Sequence, residues 1–189
     1  MKIILGSQSA GRKQMLEEMG IEFEVMPADI DEKAIRHDDP KELVLGIANA
    51  KADFLLPKIT EPAILITGDA IVLCAKKVLE KPKTKQEVRD FLQGYKNYPA
   101  QTITAVVVTN TSTGKRAEVI DTSKVYFNNF SETEIDAIIN DGQVFDLSGG
   151  FTIEGSLWEK HVDKIEGTRD SVIGLPKDIT ERLIDEVMA

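Results

Sequence analysis

The chain is poor in cysteine, in histidine and in positive charge for its 189 residues. Cys74 is the only cysteine, which excludes an internal disulfide and suits a reducing, cytoplasmic setting. Its apolar, strand-like neighbours read it as a small buried hydrophobe. His37 and His161, the two histidines, stand far apart among polar neighbours. There is accordingly no Cys/His metal spacing and no Ser–His–acid signature. No apolar run approaches the length of a membrane span, and the few apolar residues after Lys2 do not make a signal peptide. No Gly-Lys-Ser/Thr sequence closes a phosphate loop of the Walker A kind. Lysine and arginine number 23 against 32 aspartates and glutamates, a net charge of −9. An extended nucleic-acid footprint needs a basic face, so neither a polymer nor a membrane is expected as partner. A local cationic pocket for a small anionic ligand fits this balance better.

Such a pocket is legible at the start of the chain. Lys2-Ile3-Ile4-Leu5-Gly6-Ser7-Gln8-Ser9-Ala10-Gly11-Arg12-Lys13 reads as a short apolar strand, a Gly/Ser turn and the opening of a basic amphipathic helix. A helix N-terminus carries four amides without intrahelical partners and a partial positive charge, which attract phosphate. Cations are ordinarily unfavourable in a first helical turn, so Arg12 and Lys13 point to an anionic ligand there.

Beyond this segment the apolar period alternates between strand and helix. Residues 10–19 read as a helix with Met15, Leu16 and Met19 inward, stopped by Gly20, and Ile21–Met26 as a strand. An acidic loop at 28–33 leads to Pro40. That proline opens a helix to about Leu55, with Leu43, Val44, Ile47, Ala48 and Ala52 inside. Ala63–Ile66 and Ile71–Leu73 are strand-like, interrupted by Thr67-Gly68-Asp69-Ala70. Residues 84–93 are helical, and Thr102–Asn110 with Glu118–Phe127 form a hairpin around Thr111–Lys115. Ser131 and Glu134 make a capping box for a helix that turns Ile135, Ile138 and Ile139 inward. Ser148-Gly149-Gly150 breaks the chain, and Pro176 and Thr180 precede a terminal helix. No linker, repeat or low-complexity segment divides residues 1–189, which read as one mixed α/β domain.

Burying an unpaired carboxylate in an apolar β segment is costly. Asp69 is therefore expected at a strand end, facing a cleft, a cation or a metal, or else as a turn aspartate bonding nearby amides. Asp31 and Glu32, taken alone, read as part of a solvated acidic loop. Lys51, flanked by small residues on a mostly inward helix face, either snorkels or points at a phosphate. Lys81, in Glu80-Lys81-Pro82, is by default a surface lysine. These scattered cations and carboxylates suit metal-assisted attack on a phosphate chain, not covalent histidine or cysteine catalysis.

In their order along the chain, these segments resemble the Maf family of nucleoside triphosphate pyrophosphatases. The family's strand–Ser-x-Ser-Pro-Arg-Arg–helix opening is similar to Ser7-Gln8-Ser9-Ala10-Gly11-Arg12, followed by Met15-Leu16 and Met19-Gly20. Its Asp-Glu loop resembles Asp31-Glu32, its Ala-x-x-Lys-Ala helix Ala48 to Ala52, its Gly-x-Asp turn Gly68-Asp69, and its Lys-Pro Lys81-Pro82. Thr122/Val125/Phe127, Gly149-Gly150-Phe151, Glu154-Gly155 and Gly174-Leu175-Pro176 match later blocks. The version here, particularly Ile30-Asp31-Glu32-Lys33-Ala34-Ile35-Arg36 and Ile165-Glu166-Gly167-Thr168-Arg169-Asp170-Ser171, looks closer to the family's eukaryotic members.

The resemblance implies a twisted mixed β-sheet flanked by helices, with two lobes around a deep cleft, as in the inosine triphosphate pyrophosphatases. It implies cleavage of a nucleoside triphosphate between the α and β phosphates, with Mg²⁺ or Mn²⁺ neutralising the triphosphate. On that basis Asp69 is the proton acceptor, and Glu32 with Asp69 holds the metal or orients water. Ser7, Ser9, Arg12, Lys51 and Lys81 would bind the phosphates and stabilise charge on the leaving pyrophosphate. A low-turnover nucleotide-binding regulator of cell division is the alternative. A homodimer is common in families of this kind, but no interface is legible here.

Three departures fall at positions the family uses to choose its base: Gly11 replaces the first arginine, Ala70 follows Asp69, and Glu154 stands where glutamine is frequent. A glutamate accepts from an exocyclic amine or ring N–H, unlike a glutamine donor. That places the chain nearer the branch acting on CTP, UTP or 7-methyl-GTP than the one preferring thymidine triphosphate. Glu80 also replaces the glycine usual before Lys-Pro. Trp158 is read as a partly buried structural residue, with base stacking as the alternative.

Overall fold

A computed structural model describes residues 1–189. Its strands are β1 (Lys2–Leu5), β2 (Glu24–Val25), β3 (Ala63–Cys74), β4 (Lys77–Leu79), β5 (Ala100–Asn110), β6 (Arg116–Phe127) and β7 (Val162–Glu166). Its helices are α1 (Ala10–Glu18), α2 (Pro40–Leu55), α3 (Lys85–Tyr95), α4 (Glu132–Asp141), α5 (Arg169–Ile173) and α6 (Lys177–Met188). The strands form one seven-stranded sheet in the order β2-β1-β3-β5-β6-β7, with β4 on β3. β1 is parallel to β2 and β3, whereas β3/β4 and β6/β7 are antiparallel, so the sheet is mixed. No helix is long and apolar enough to cross a membrane.

The chain divides into two compact units, and β3, β5 and β6 each contribute residues to both. The first comprises Met1–Ala70, Thr104–Asp121 and Ile173–Ala189. Its core joins Leu5 of β1, Met15 and Leu16 of α1, Ile64 and Ile66 of β3, Val106 and Val108 of β5, and Leu183 and Val187 of α6. The second comprises Ile71–Ile103 and Thr122–Val172. There Phe127 packs on Tyr95, Phe151 and Trp158 at centroid distances of 5.5, 5.4 and 6.3 Å. Trp158 is only 3% exposed, which fits its structural reading. Cys74 is a free, buried thiol, and burial raises its pKa.

Local chemistry explains most boundaries. Asp39 caps α2 through the Lys41 N–H, with Pro40 in the first turn. Ser131 and Glu134 form the expected capping box of α4, which ends at Gly142 in a left-handed conformation. Three expectations are corrected. The stretch 67–70 does not interrupt the strand, because β3 is continuous from Ala63 to Cys74. Its polar side chains find partners on α2, so the strand carries them without a break. The strand expected at Ile21–Met26 shortens to Glu24–Val25; Ile21 is instead tied to the end of α1, its N–H donating to the Leu16 carbonyl at 3.1 Å. Thr180 lies inside α6, where its hydroxyl donates to the Pro176 carbonyl at 2.7 Å.

Candidate active site

β1 ends at Leu5, and the Gly6 N–H then donates to the Ile66 carbonyl at 2.7 Å. The turn that follows leads into α1, capped by Ser9, whose Oγ accepts from the Arg12 N–H at 3.4 Å. Arg12 is only 7% exposed. Its guanidinium folds back over the turn, with Nη1 donating to Ser7 Oγ and Nε to the Gly174 carbonyl, both at 3.0 Å. The Ser9 N–H donates to the same Ser7 Oγ at 3.2 Å. Burial pulls the Arg12 pKa down, while the negative charges of Asp69 and Glu32 hold it up.

The carboxylates are placed by a match between strand and helix periods. Thr67 and Asp69, two apart on β3, point to one face. Ala48 and Lys51, three apart on α2, also share a face. The Thr67 hydroxyl donates to the Ala48 carbonyl at 2.8 Å, and Lys51 Nζ donates to Asp69 Oδ1 at 2.9 Å. The same ammonium lies 2.8 Å from Glu32 Oε1 and 3.4 Å from the Gly68 carbonyl. Lys51 thus bridges two carboxylates. Glu32 arrives on a short 3-10 turn over Glu32–Ala34, capped by Asp31 through the Lys33 N–H.

Burial raises the Asp69 pKa most, the Glu32 charge adds to the rise, and Lys51 and Arg12 oppose it. The net direction is upward, towards the range where a carboxylate accepts a proton efficiently near neutrality. Gly68 is required beside it, since a Cβ there would lie 2.7 Å from the Ala105 carbonyl oxygen. Gly11 also has a packing cause. Its Cβ would lie 2.7 Å from Ile173 Cγ2 and 2.8 Å from the Ile173 oxygen. Ile173 thus closes this position to any residue with a side chain.

Six of the residues singled out from sequence, Ser7, Ser9, Arg12, Glu32, Lys51 and Asp69, belong to the first compact unit together with Gly11 and Ala70. Lys81 and Glu154 belong to the second. Lys81 is exposed just after β4. Glu154 is half-buried and pairs with Arg169, whose Nη2 donates to Glu154 Oε1. Sequence reasoning missed Arg169, the Thr67 hydroxyl and the Gly174 carbonyl. Only the run Gly174-Leu175-Pro176 offered a signal for the last.

No three His, Cys, Asp or Glu side chains converge on a possible metal position. The two hard carboxylates at Lys51 nonetheless suit Mg²⁺ or Mn²⁺, which typically take one or two carboxylates and complete their shell with phosphate oxygens and water. The donor set fits a metal that is shared with a phosphate ligand.

Residues 2–187 match the family described as Maf-like protein. A 7-methyl-GTP pyrophosphatase of Dictyostelium discoideum is 41% identical over 192 residues, covering 98% of this chain and 96% of that protein. A dTTP/UTP pyrophosphatase of Vibrio vulnificus (strain YJ016) is 32% identical over 185 residues, 98% of each chain. A nucleoside-triphosphatase / dITP/XTP pyrophosphatase of Mycobacterium abscessus overlaps at a TM-score of 0.39 and 12% identity, covering 100% and 97% of the two chains. That overlap is too low to bear on topology. The family match and the two curated relatives each run nearly end to end, and the chain belongs to the Maf-like protein family.

Proposed function

We propose that this chain hydrolyses a nucleoside triphosphate at the α–β phosphoanhydride, releasing the nucleoside monophosphate and pyrophosphate. The observation that carries the reading is Lys51 bridging Asp69 and Glu32 at 2.9 and 2.8 Å, with Arg12 contributing charge to the same group. The names of the Dictyostelium and Vibrio relatives support the same reaction class. A cluster that keeps a base, a second carboxylate and two cations favours turnover over a binding-only regulator.

Water attacks the α phosphorus while the bond to the bridging α–β oxygen breaks. Asp69 accepts the proton from the attacking water, a role that its raised pKa supports. Lys51 exchanges its carboxylate partners for phosphate oxygens, Arg12 adds its charge beside them, and the Ser7 and Ser9 hydroxyls add neutral contacts. In this reading Lys81 also meets the triphosphate. A divalent cation held by Glu32 and Asp69 would neutralise the triphosphate. Glu154 accepts from the base, which places CTP, UTP or 7-methyl-GTP among the substrates. Gly11 and Ala70 act on base choice through the shape of the turn and the strand. Residues 1–189 serve this reaction as one functional domain, a view supported by the family match over 2–187.

The test is a panel of nucleoside triphosphates with Mg²⁺, Mn²⁺ or EDTA, scoring pyrophosphate and orthophosphate separately. Orthophosphate as primary product would reject cleavage at the α–β bond. Asp69→Asn keeps an acceptor for Lys51 but cannot take the proton. It should abolish turnover while leaving nucleotide binding largely intact, and an unchanged rate would remove Asp69 as the base.

A further inference from the structure

Glu32 meets Lys51 from a segment that the ion pair alone does not hold. Its side chain is 51% exposed, and an ion pair in that setting is screened by water and stabilises little. Another contact has to fix the segment, and α2 provides it at Gly46. Glycine inside a helix is destabilising relative to alanine, and Gly46 has no left-handed backbone that would call for one. What its missing Cβ leaves is room. A Cβ there would lie 3.2 Å from His37 Nε2, 3.5 Å from His37 Cδ2 and 3.6 Å from Ile35 Cγ2. Its three nearest atoms all belong to the segment that carries Glu32.

The segment runs back along α2 with three attachments, all within the first compact unit. Glu32 meets Lys51 in the second half of the helix. Ile35 and His37 rest on Gly46, and Asp39 caps the first turn through the Lys41 N–H at 2.9 Å. Little free chain separates the contact at Gly46 from the carboxylate. The Ile35 N–H donates to the Glu32 carbonyl at 3.2 Å and the Ala34 N–H to the Asp31 carbonyl at 3.1 Å, closing the turn over Glu32–Ala34. A shift of Ile35 is therefore passed to Glu32 through one bonded turn. Without Gly46 the next anchor is Asp39, seven residues on, and a stretch of that length extends to roughly 25 Å. A metal ligand has to be held to within about 0.5 Å.

We propose that Gly46, Ile35 and His37 are positioning residues, a seat on α2 that sets Glu32 where it holds the divalent cation. This rests on the proposal that Glu32 and Asp69 share that cation. The same helix carries the seat and, about 7.5 Å further along its axis, the Lys51 ammonium that receives the carboxylate. Crowding the seat frees Glu32 to swing into solvent and leaves Asp69 as the single protein carboxylate for the cation. Metal affinity then falls, while the proton acceptor stays in place on β3.

The test is a Mn²⁺ titration in the presence of the α,β-methylene analogue of UTP, with free Mn²⁺ read by electron paramagnetic resonance. The analogue is not cleaved at the α–β position, so the readout stands apart from turnover. Thermal melting and amide hydrogen exchange over residues 30–38 accompany it. The proteins are wild type, Gly46→Ala, Gly46→Leu, His37→Ala, Glu32→Gln and Glu32→Gln/Gly46→Leu. Leucine is a good helix former, so Gly46→Leu should melt no lower than wild type. It fills the seat, and should weaken Mn²⁺ binding roughly tenfold, the lower end for losing a group that orients a metal ligand. Exchange of the Ala34 and Ile35 amides should quicken. His37→Ala should act in the same direction, and Gly46→Ala, which displaces the ring by less, should lose less. The double variant should bind Mn²⁺ no more weakly than Glu32→Gln alone, because the seat acts through Glu32. Wild-type binding in Gly46→Leu and His37→Ala, with Glu32→Gln weakened, overturns the seat, as does a further loss in the double variant. Wild-type binding in Glu32→Gln instead removes Glu32 from the metal. If Gly46→Leu does not fold, His37→Ala and Gly46→Ala carry the same comparison.

Discussion

Replacing Lys51 by methionine removes the ammonium between Asp69 and Glu32 and keeps most of the side-chain volume. The two carboxylates feel the loss unequally. Asp69 has a side chain 14% exposed, and stripping the partner from a buried ion pair costs about 3–5 kcal/mol. Glu32 is 51% exposed, where solvent screens the contact to about 0–1 kcal/mol. Two effects limit the total: the buried ammonium no longer has to be desolvated, and Asp69 can take up a proton. A net loss of about 2–4 kcal/mol near pH 7.5 follows, equivalent to roughly 4–16 °C in melting temperature for a chain of this size.

The sign of its pH dependence is set by Asp69, whose folded pKa lies above its ordinary value of 3.8. Between those two values the folded chain binds more protons than the unfolded one, so stability falls as pH rises through the window. Lys51→Met deletes two contributions that lower this pKa; the window widens upward and the fall deepens. Urea unfolding of wild type and variant at about pH 7.5 and about pH 4 reads the difference directly. The gap between the proteins should shrink at the lower pH, as protonation of Asp69 in the folded chain removes the uncompensated charge from the variant. An equal gap at both values would mean that the loss is packing and not charge, and the account of the cluster would fail.

Gly11→Ala should destabilise by about 1–3 kcal/mol, because its Cβ is driven to 2.8 Å from the Ile173 oxygen; a wild-type melting curve would refute the tight contact. Tyr95→Phe deletes the bond from its buried hydroxyl to the Gly149 carbonyl, 2.6 Å. It should cost about 1–3 kcal/mol in urea unfolding, the penalty for an unsatisfied buried group, and no loss would mean that water replaces the hydroxyl. Glu134 is held down at about 2 by Lys160, by the hydroxyl and N–H of Ser131 and by His161. Its contribution is complete above the ordinary 4.5 and is lost as pH falls towards about 2, so Glu134→Gln should flatten the acid limb of the stability curve. An acid limb as steep as the wild type's would rule this out.

Features set by local chemistry were the ones legible in the sequence. The Ser131/Glu134 box, the Pro40 helix start and the hairpin between β5 and β6 each depend on residues a few positions apart. The misreadings share a different cause. Thr67-Gly68-Asp69-Ala70 looks like a turn because its composition is that of turns. What makes it strand is tertiary: Ala48 and Lys51 of α2 supply partners for Thr67 and Asp69, and the Ala105 carbonyl needs a glycine opposite it. No period in the sequence carries that information. Arg169 escaped for a similar reason. An arginine at the start of a short helix has no pattern of its own, and its partner Glu154 lies fifteen residues away.

Arg12 shows how far a sequence anomaly can lead once its surroundings are known. A cation in the first turn of α1 is unfavourable towards the helix dipole, and the anomaly alone suggests that a ligand must compensate it. The fold supplies another compensation. The guanidinium bonds Ser7 Oγ and the Gly174 carbonyl and feels the negative charges of Asp69 and Glu32, while Lys51 is shared by the same two carboxylates. Two cations thus face two carboxylates, and the cluster is close to neutral by itself. A triphosphate arriving here cannot rely on uncommitted positive charge. In the proposed reading it draws Lys51 away from Asp69 and Glu32, which leaves those carboxylates in need of a replacement cation. The anion and its counter-charge therefore have to enter together. On that proposal the coupling, more than the helix terminus itself, would let a strongly acidic chain take a highly charged nucleotide.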